Sequence, residues 1–259
     1  MQKGYIFDLD GTIYLSNELI EGAQEAITEL RDRGDKVVFL TNKSIARRKD
    51  YVEKLNGLGI QVSLEEVVNS NYITAHYLKK KMKSNEKVFV IGEEPLFEEL
   101  LEEGILLTPS WEDAKFVVLG WDRSFTYEKI NAAFQAWKNG AILIATNPDR
   151  TCPVEDGELP DCAAMIGALE AVTGEPITAI TGKPSALMAE FVMKTVLGMA
   201  PNQCIMVGDR LETDIKMANI AGMTSVLVLT GITNEEALKN ASIQPDHVLA
   251  SVAAIPSAV

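Results

Sequence analysis

The sequence predicts an α/β protein with a doubly wound, Rossmann-like parallel sheet and an inserted α/β domain. Short β-branched or aromatic runs alternate with helical patterns along nearly the whole chain, the signature of βαβ units. Small polar motifs stand just after several of these runs, at the strand edge where open parallel sheets bind ligands. The expected strands are 4–8, 36–41, 87–91, 116–120, 141–146, 204–208, 224–229 and 247–250. Between the first two, Gly22–Leu30 carries apolar residues at helical spacing and ends near Gly34, a residue suited to a C-cap. After the polar run Lys79–Glu86 a fresh series of strands and helices begins, and it ends in the Gly174-Glu175-Pro176 turn. This reads as a guest domain inside a host: 1–79 and 179–259 form the core, and 80–178 the insert.

Bulk properties exclude several functions. With 259 residues, 47% of them hydrophobic, the chain can bury a sizeable core as one large domain or two smaller ones. Its longest apolar stretches, such as Val226–Leu229, fall far short of the roughly 20 residues that span a bilayer. The N-terminus lacks a basic region followed by an apolar core, so neither a signal peptide nor a membrane location is expected. Cys152, Cys162 and Cys204 have unpatterned spacings that suit reduced thiols in a cytoplasmic protein. A net charge of −13 argues against nucleic acid, and the small basic runs Arg47–Lys49 and Lys79–Lys81 read as solvated helix faces. An anionic substrate must then be drawn in by local positive charge at its site.

Four short motifs carry the chemistry. Gly4–Asp8 runs into Asp8-Leu9-Asp10-Gly11-Thr12; in an extended strand residues i and i+2 share a side, so Asp8 and Asp10 can aim at one point. There they repel each other or shift a pKa unless something positive stands between them. Lys36–Leu40 runs into Thr41-Asn42-Lys43-Ser44, whose hydroxyl and amide groups suit a phosphate oxygen. Gly182-Lys183-Pro184 places a lysine before a proline expected to open a helix. Cys204–Gly208 releases Asp209 and Asp214 into a loop. If the four converge, Asp8, Asp10, Asp209 and Asp214 face Lys183 and a cation. A cluster of carboxylates suits Mg²⁺, whereas zinc is disfavoured because the only histidines, His76 and His247, stand near no cysteine in a ligand spacing. Thr181–Pro184 is no phosphate-binding P-loop, having Ile177 for its first glycine and Pro184 for Ser or Thr.

In this order the motifs DxDGT, TN, GKP and GDRxxTD resemble the haloacid dehalogenase superfamily, and more narrowly its NagD-like branch, whose members carry a large α/β cap between the second and third motifs. The similarity covers essentially the full length, including Ala145-Thr146-Asn147-Pro148-Asp149 and a helix starting near Asp161. The resemblance implies a phosphatase in which Asp8 is the nucleophile and Asp10 the general acid and base. It assigns Thr41, Asn42 and Lys183 to the phosphoryl group. It assigns the metal to Asp8, the Asp10 carbonyl and Asp209, with Asp214 holding a metal-bound water or orienting Lys183. Many relatives have asparagine where this chain has Lys43, which leaves two readings: a cation near the phosphate, or a solvent-facing lysine.

The expected activity is Mg²⁺-dependent hydrolysis of small phosphomonoesters, such as sugar phosphates, nucleoside monophosphates or pyridoxal phosphate. Asn147–Arg150 and the loop Cys152–Cys162 are candidates for substrate selection. The alternatives are a phosphotransferase or mutase using the same aspartyl-phosphate, or a signalling module that preserves it. Relatives often dimerise, so a homodimer is possible.

Overall fold

The computed structural model describes residues 2–154 and 157–259. The chain divides into two compact units: residues 1–41, 48–68 and 183–259 form the first, and 42–47 with 69–182 the second.

The first unit is built on a six-stranded sheet in the order His247–Leu249, Thr224–Val228, Cys204–Gly208, Gly4–Asp8, Lys36–Thr41 and Val67–Asn69. The first five are parallel neighbours, with Phe7 opposite both Val207 and Phe39. Gly4–Asp8 is therefore a central strand covered on both faces, which is why all its residues are buried and its pattern is continuously apolar instead of alternating. Tyr5 and Phe7 share one face by the two-residue period, with ring centroids 6.2 Å apart. Their full burial removes large apolar surface from water, worth about 2 kcal/mol for a side chain such as Phe7.

The helix expected between the first two strands spans Ala23–Asp32 and buries Ala23, Ala26, Ile27 and Leu30, one stripe at helical spacing. Gly22 caps its start at φ 78°, and a Cβ there would lie 2.5 Å from the Cβ of Ala253, so no larger residue fits. The Gly182-Lys183-Pro184 motif differs from the expectation in one respect. The helix opens at Ala186, capped by Ser185, whose hydroxyl accepts from Leu187 N–H at 3.2 Å. A Ser one residue after Pro184 can satisfy a free amide, which proline cannot do, so the cap passes to Ser185.

The second unit has its own parallel sheet, ordered Ala179–Ile180, Ile142–Ala145, Ala114–Leu119 and Lys87–Ile91. Along Ala114–Leu119 the side chains alternate between two cores. Phe116 and Val118 pack with Ala75, Leu78, Leu96 and Leu100, from the helices Ser70–Lys81 and Glu94–Glu102. Val117 and Leu119 pack with Ala133, Ala136, Ile166 and Leu169, from the helices Tyr127–Lys138 and Cys162–Thr173. The period of two thus sorts one strand's residues into two layers, and helices cover both faces. An antiparallel hairpin of Thr151–Val154 and Gly157–Pro160 falls within the loop proposed for substrate selection; its residues 155 and 156 lie outside the described residues.

Cys152, Cys162 and Cys204 are buried free thiols. Among the described residues, no helix is long and apolar enough to cross a membrane.

Candidate active site

The strand Gly4–Asp8 ends at Asp8, so only the first aspartate of the motif rides on the sheet. Asp10 stands beyond it in a turn closed by Ile13 N–H to Leu9 O and Gly11 N–H to Tyr14 O, both 2.8 Å. The alternation argued from an extended strand therefore does not reach Asp10; the turn positions it instead. Gly11 adopts φ 79°, a left-handed conformation that glycine enters without penalty.

The neighbouring strand Cys204–Gly208 delivers Asp209 just past its end. The next residues form a π-helical turn, Leu211–Ile215, and not a loop; it carries Asp214 back toward the sheet. Asp214 Oδ2 accepts from Arg210 N–H at 3.1 Å. Asp209 Oδ2 accepts from Ile232 N–H at 2.7 Å, and its carbonyl accepts from Thr233 N–H at 3.2 Å. Gly231 makes that approach possible, because a Cβ on it would overlap the Asp209 carboxylate; one on Gly11 would come within 2.6 Å of Asp209 Oδ2. Thr230 Oγ donates to Gly11 O at 2.6 Å and ties the two loops together.

Lys183 is 3% exposed. Its ammonium pairs with Asp8 Oδ1 and, at 2.7 Å, with Asp214 Oδ1. One oxygen from each of Asp8, Asp209 and Asp214 lies within 4.8 Å of the others, a separation that one cation can bridge. Three buried carboxylates thus face one ammonium. Burial pushes Asp8 well above the usual carboxylate range, with the charges of Asp214 and Asp209 adding to it and Lys183 opposing. Burial likewise raises Asp209, to about 6, reinforced by Asp214. Burial alone would lower Lys183, but Asp214 and Asp8 outweigh it and hold it above the ordinary lysine value, so it stays charged. The surplus of two negative charges and the oxygen-only donor set fit a hard divalent cation.

Thr41 ends the strand beside Gly4–Asp8, one residue past Leu40, the register partner of Asp8. It is buried in the first unit, as are Asp8, Lys183, Asp209 and Asp214. Asn42 and Lys43 belong to the second unit. There the Asn42 side chain donates to Asp149 Oδ2 at 3.0 Å, and its carbonyl accepts from Ser70 Oγ at 2.6 Å. Lys43 is half-buried. The segment Thr230–Thr233 is the part of the site that the motifs did not name. Its signal is Thr-Gly-Ile-Thr directly after an apolar strand.

A family model described as haloacid dehalogenase-like hydrolase matches residues 5–106, and one described as HAD-hydrolase-like matches 180–255. The sugar-phosphatase AraL of Bacillus subtilis is 42% identical over 249 residues, covering 96% of this chain and 90% of that protein. The chain belongs to the haloacid dehalogenase-like hydrolases. Within this family it is NagD-like, and it is a phosphoric monoester hydrolase. The fold agrees throughout. A p-nitrophenyl phosphatase from Archaeoglobus fulgidus superimposes with a TM-score of 0.94 at 34% identity, covering 100% of this chain and 99% of that one. A glycerol phosphate phosphatase from Mycobacterium tuberculosis, in complex with magnesium, matches with a TM-score of 0.89 at 30% identity, covering 99% of this chain and 77% of that one.

Proposed function

We propose that this hydrolase cleaves small phosphomonoesters, sugar phosphates among them, through an aspartyl-phosphate on Asp8. The observation that carries the reading is the buried group of Asp8, Asp209, Asp214 and Lys183 at the ends of two central parallel strands. The sugar-phosphatase relative supports the substrate class.

In the first step an Asp8 carboxylate oxygen attacks phosphorus while the bond to the ester oxygen breaks, and Asp10 gives its proton to that oxygen, releasing the alcohol. In the second step Asp10, now a carboxylate, takes a proton from water as the water oxygen attacks phosphorus. The bond to Asp8 breaks, inorganic phosphate leaves, and both aspartates return to their starting states. Thr41 and Asn42 orient the phosphoryl oxygens, and Lys183 offsets negative charge on the nucleophile and on the group in flight. Asp214 holds Lys183 in place. Mg²⁺ would be held by Asp8, the Asp10 carbonyl and Asp209, with Asp214 reaching it directly or through water, and it supplies neutralisation of the phosphoryl charge. The insert, residues 80–178, acts as a cap that excludes bulk water and chooses the leaving group.

Inorganic phosphate release from p-nitrophenyl phosphate tests this reading. Release that requires Mg²⁺ and disappears in Asp8→Asn is expected. Undiminished release in Asp8→Asn would sink the mechanism.

A further inference from the structure

Asp10, Tyr14, Tyr51 and Lys54 all belong to the first compact unit. The backbone ties Tyr14 to the turn that holds Asp10. Gly11 N–H donates to Tyr14 O at 2.8 Å, Tyr14 N–H donates to Leu9 O at 3.3 Å, and Asp10 and Tyr14 form a β-bridge. Tyr14 then pairs with Leu19 in a short antiparallel hairpin, Tyr14–Leu15 with Glu18–Leu19. The helix Arg48–Gly57 fixes the ring: its Lys54 sets an ammonium 3.7 Å from the ring centroid, a cation–π contact, and donates to Ser16 O at 2.6 Å. Held in this way, the Tyr14 side chain is fully buried, and its hydroxyl makes no hydrogen bond of full geometry among the described residues. A buried hydroxyl left so is costly, and its retention asks for a use. Burial raises the phenol above its ordinary range, and the Asp10 carboxylate adds more to that rise than Tyr51 or Asp8 does, through charge and through an incipient hydrogen bond. The phenol therefore keeps its proton and points its donor toward Asp10.

We infer that Tyr14 is a positioning residue for Asp10: its hydroxyl, steadied by Lys54 at the ring and by the turn at the backbone, orients the carboxyl that moves the proton. This rests on the role of general acid and base given to Asp10 under the proposed function. Catalytic hydrogen bonds are often long in an enzyme without substrate and tighten as the reacting complex forms. The unfilled Tyr14 hydroxyl is such a bond held open. A carboxyl offers an acceptor oxygen whether it is protonated or not, so one donor serves Asp10 as acid and, once the alcohol has left, as base. An ionised carboxylate accepts about four hydrogen bonds, so this one displaces none of the other partners of Asp10. Tyr14 itself gives up no proton, and the bonds made and broken at phosphorus stay as described.

Tyr14→Phe removes the hydroxyl and leaves the ring against Lys54. It should lower kcat/KM for phenyl phosphate by about 10-fold or more, a part of the roughly 10²–10⁴-fold that a well-placed general acid supplies. For p-nitrophenyl phosphate, whose leaving group departs with less help from a proton, the loss should be at least about threefold smaller. Competitive inhibition by inorganic phosphate should stay within about twofold, since the hydroxyl serves proton transfer and not phosphate binding. Tm should fall by no more than about 2 °C, because the hydroxyl satisfies no partner in the resting enzyme. A merely structural hydroxyl would instead lower Tm and cut activity equally on both esters. Unchanged kcat/KM for phenyl phosphate, equal losses on the two esters, weakened phosphate inhibition or a larger fall in Tm each overturn the inference. If Tyr14→Phe does not fold, Lys54→Met keeps the hydroxyl and frees the ring. Its expected loss is smaller and again greater for phenyl phosphate; no difference between the esters overturns the inference. Asp10→Asn tells the two readings apart. An impaired Asp10→Asn beside an unimpaired Tyr14→Phe overturns the inference alone, whereas an Asp10→Asn as active as the wild type overturns the role of Asp10 as well.

Discussion

Replacing Lys183 by methionine keeps most of the side-chain volume and removes the charge that two buried carboxylates face. At an effective dielectric constant of ~20, opposite charges at the 2.7 Å separation of Lys183 and Asp214 attract by about 6 kcal/mol. Desolvation offsets much of this in the intact pair, but removing one partner of a buried pair still costs about 3–5 kcal/mol. For a chain of this size the loss should lower Tm by roughly 6–20 °C. The pH dependence follows from the direction of each shift. Lys183 is raised, so its contribution is present below the ordinary lysine value and lost only as pH rises through the higher folded value. Asp8 and Asp209 are raised as well. Their contribution is present below about pH 4 and lost as pH rises through the folded values, about 6 for Asp209. The Lys183→Met penalty should therefore be large near neutral and alkaline pH and should shrink toward pH 5, as the raised Asp8 and Asp209 take up protons and need no cation. Thermal unfolding with a chelator present, scanned at both ends of that range, reads the effect. A Tm change under about 2 °C at the alkaline end, or a larger penalty at the acidic end, refutes the electrostatic account.

Other substitutions probe neighbouring groups. Asp209→Asn should raise the Mg²⁺ concentration needed for half-maximal phosphate release by at least about 10- to 100-fold, measured by titrating metal into chelator-treated enzyme. Gly231→Ala should destabilise the protein by about 1–3 kcal/mol in denaturant titration, because its new methyl group overlaps the Asp209 carboxylate. Asp246 is exposed but lowered below the usual carboxylate range, first by the Ser225 backbone N–H and then by the Ser225 hydroxyl. Its small contribution is present above about pH 4 and lost as pH falls through the lower folded value, so Asp246→Asn should reduce Tm at neutral pH and leave it unchanged in acid.

The central strands were legible because they are buried on both faces. Gly4–Asp8, Lys36–Thr41 and Cys204–Gly208 read as continuous apolar runs and end at the expected residues. Val67–Asn69 was not, since three residues flanked by polar ones leave no periodicity to detect. The hairpin Thr151–Pro160 was read as a loop because two prolines and exposed side chains hide its pairing. At the site, Asp8, Lys183, Asp209 and Asp214 could be named from motifs. The hold of Asp149 on Asn42 could not, because it joins residues 107 positions apart and no local pattern records it. The Ser70–Lys81 helix shows the same limit. Its polar C-terminal lysines mark where it ends, but nothing local tells that Ala75 and Leu78 pack with Phe116 and Val118.

The central strand Gly4–Asp8 lies between a partner about thirty residues downstream and another, Cys204–Gly208, that comes some two hundred residues later. On a ribosome adding about 5–20 residues per second, Asp8 is made roughly 10–40 seconds before Asp209 exists. Throughout that interval one edge of the nascent first strand has no neighbour to pair with, while the second unit's four-stranded sheet, all made by Ile180, can already assemble. The charged centre is accordingly gathered only late in synthesis, once the chain has passed Asp214. A chain cut before Cys204 would retain the strand that carries Asp8 and lack both Asp209 and Asp214, leaving it no means of gathering the cluster.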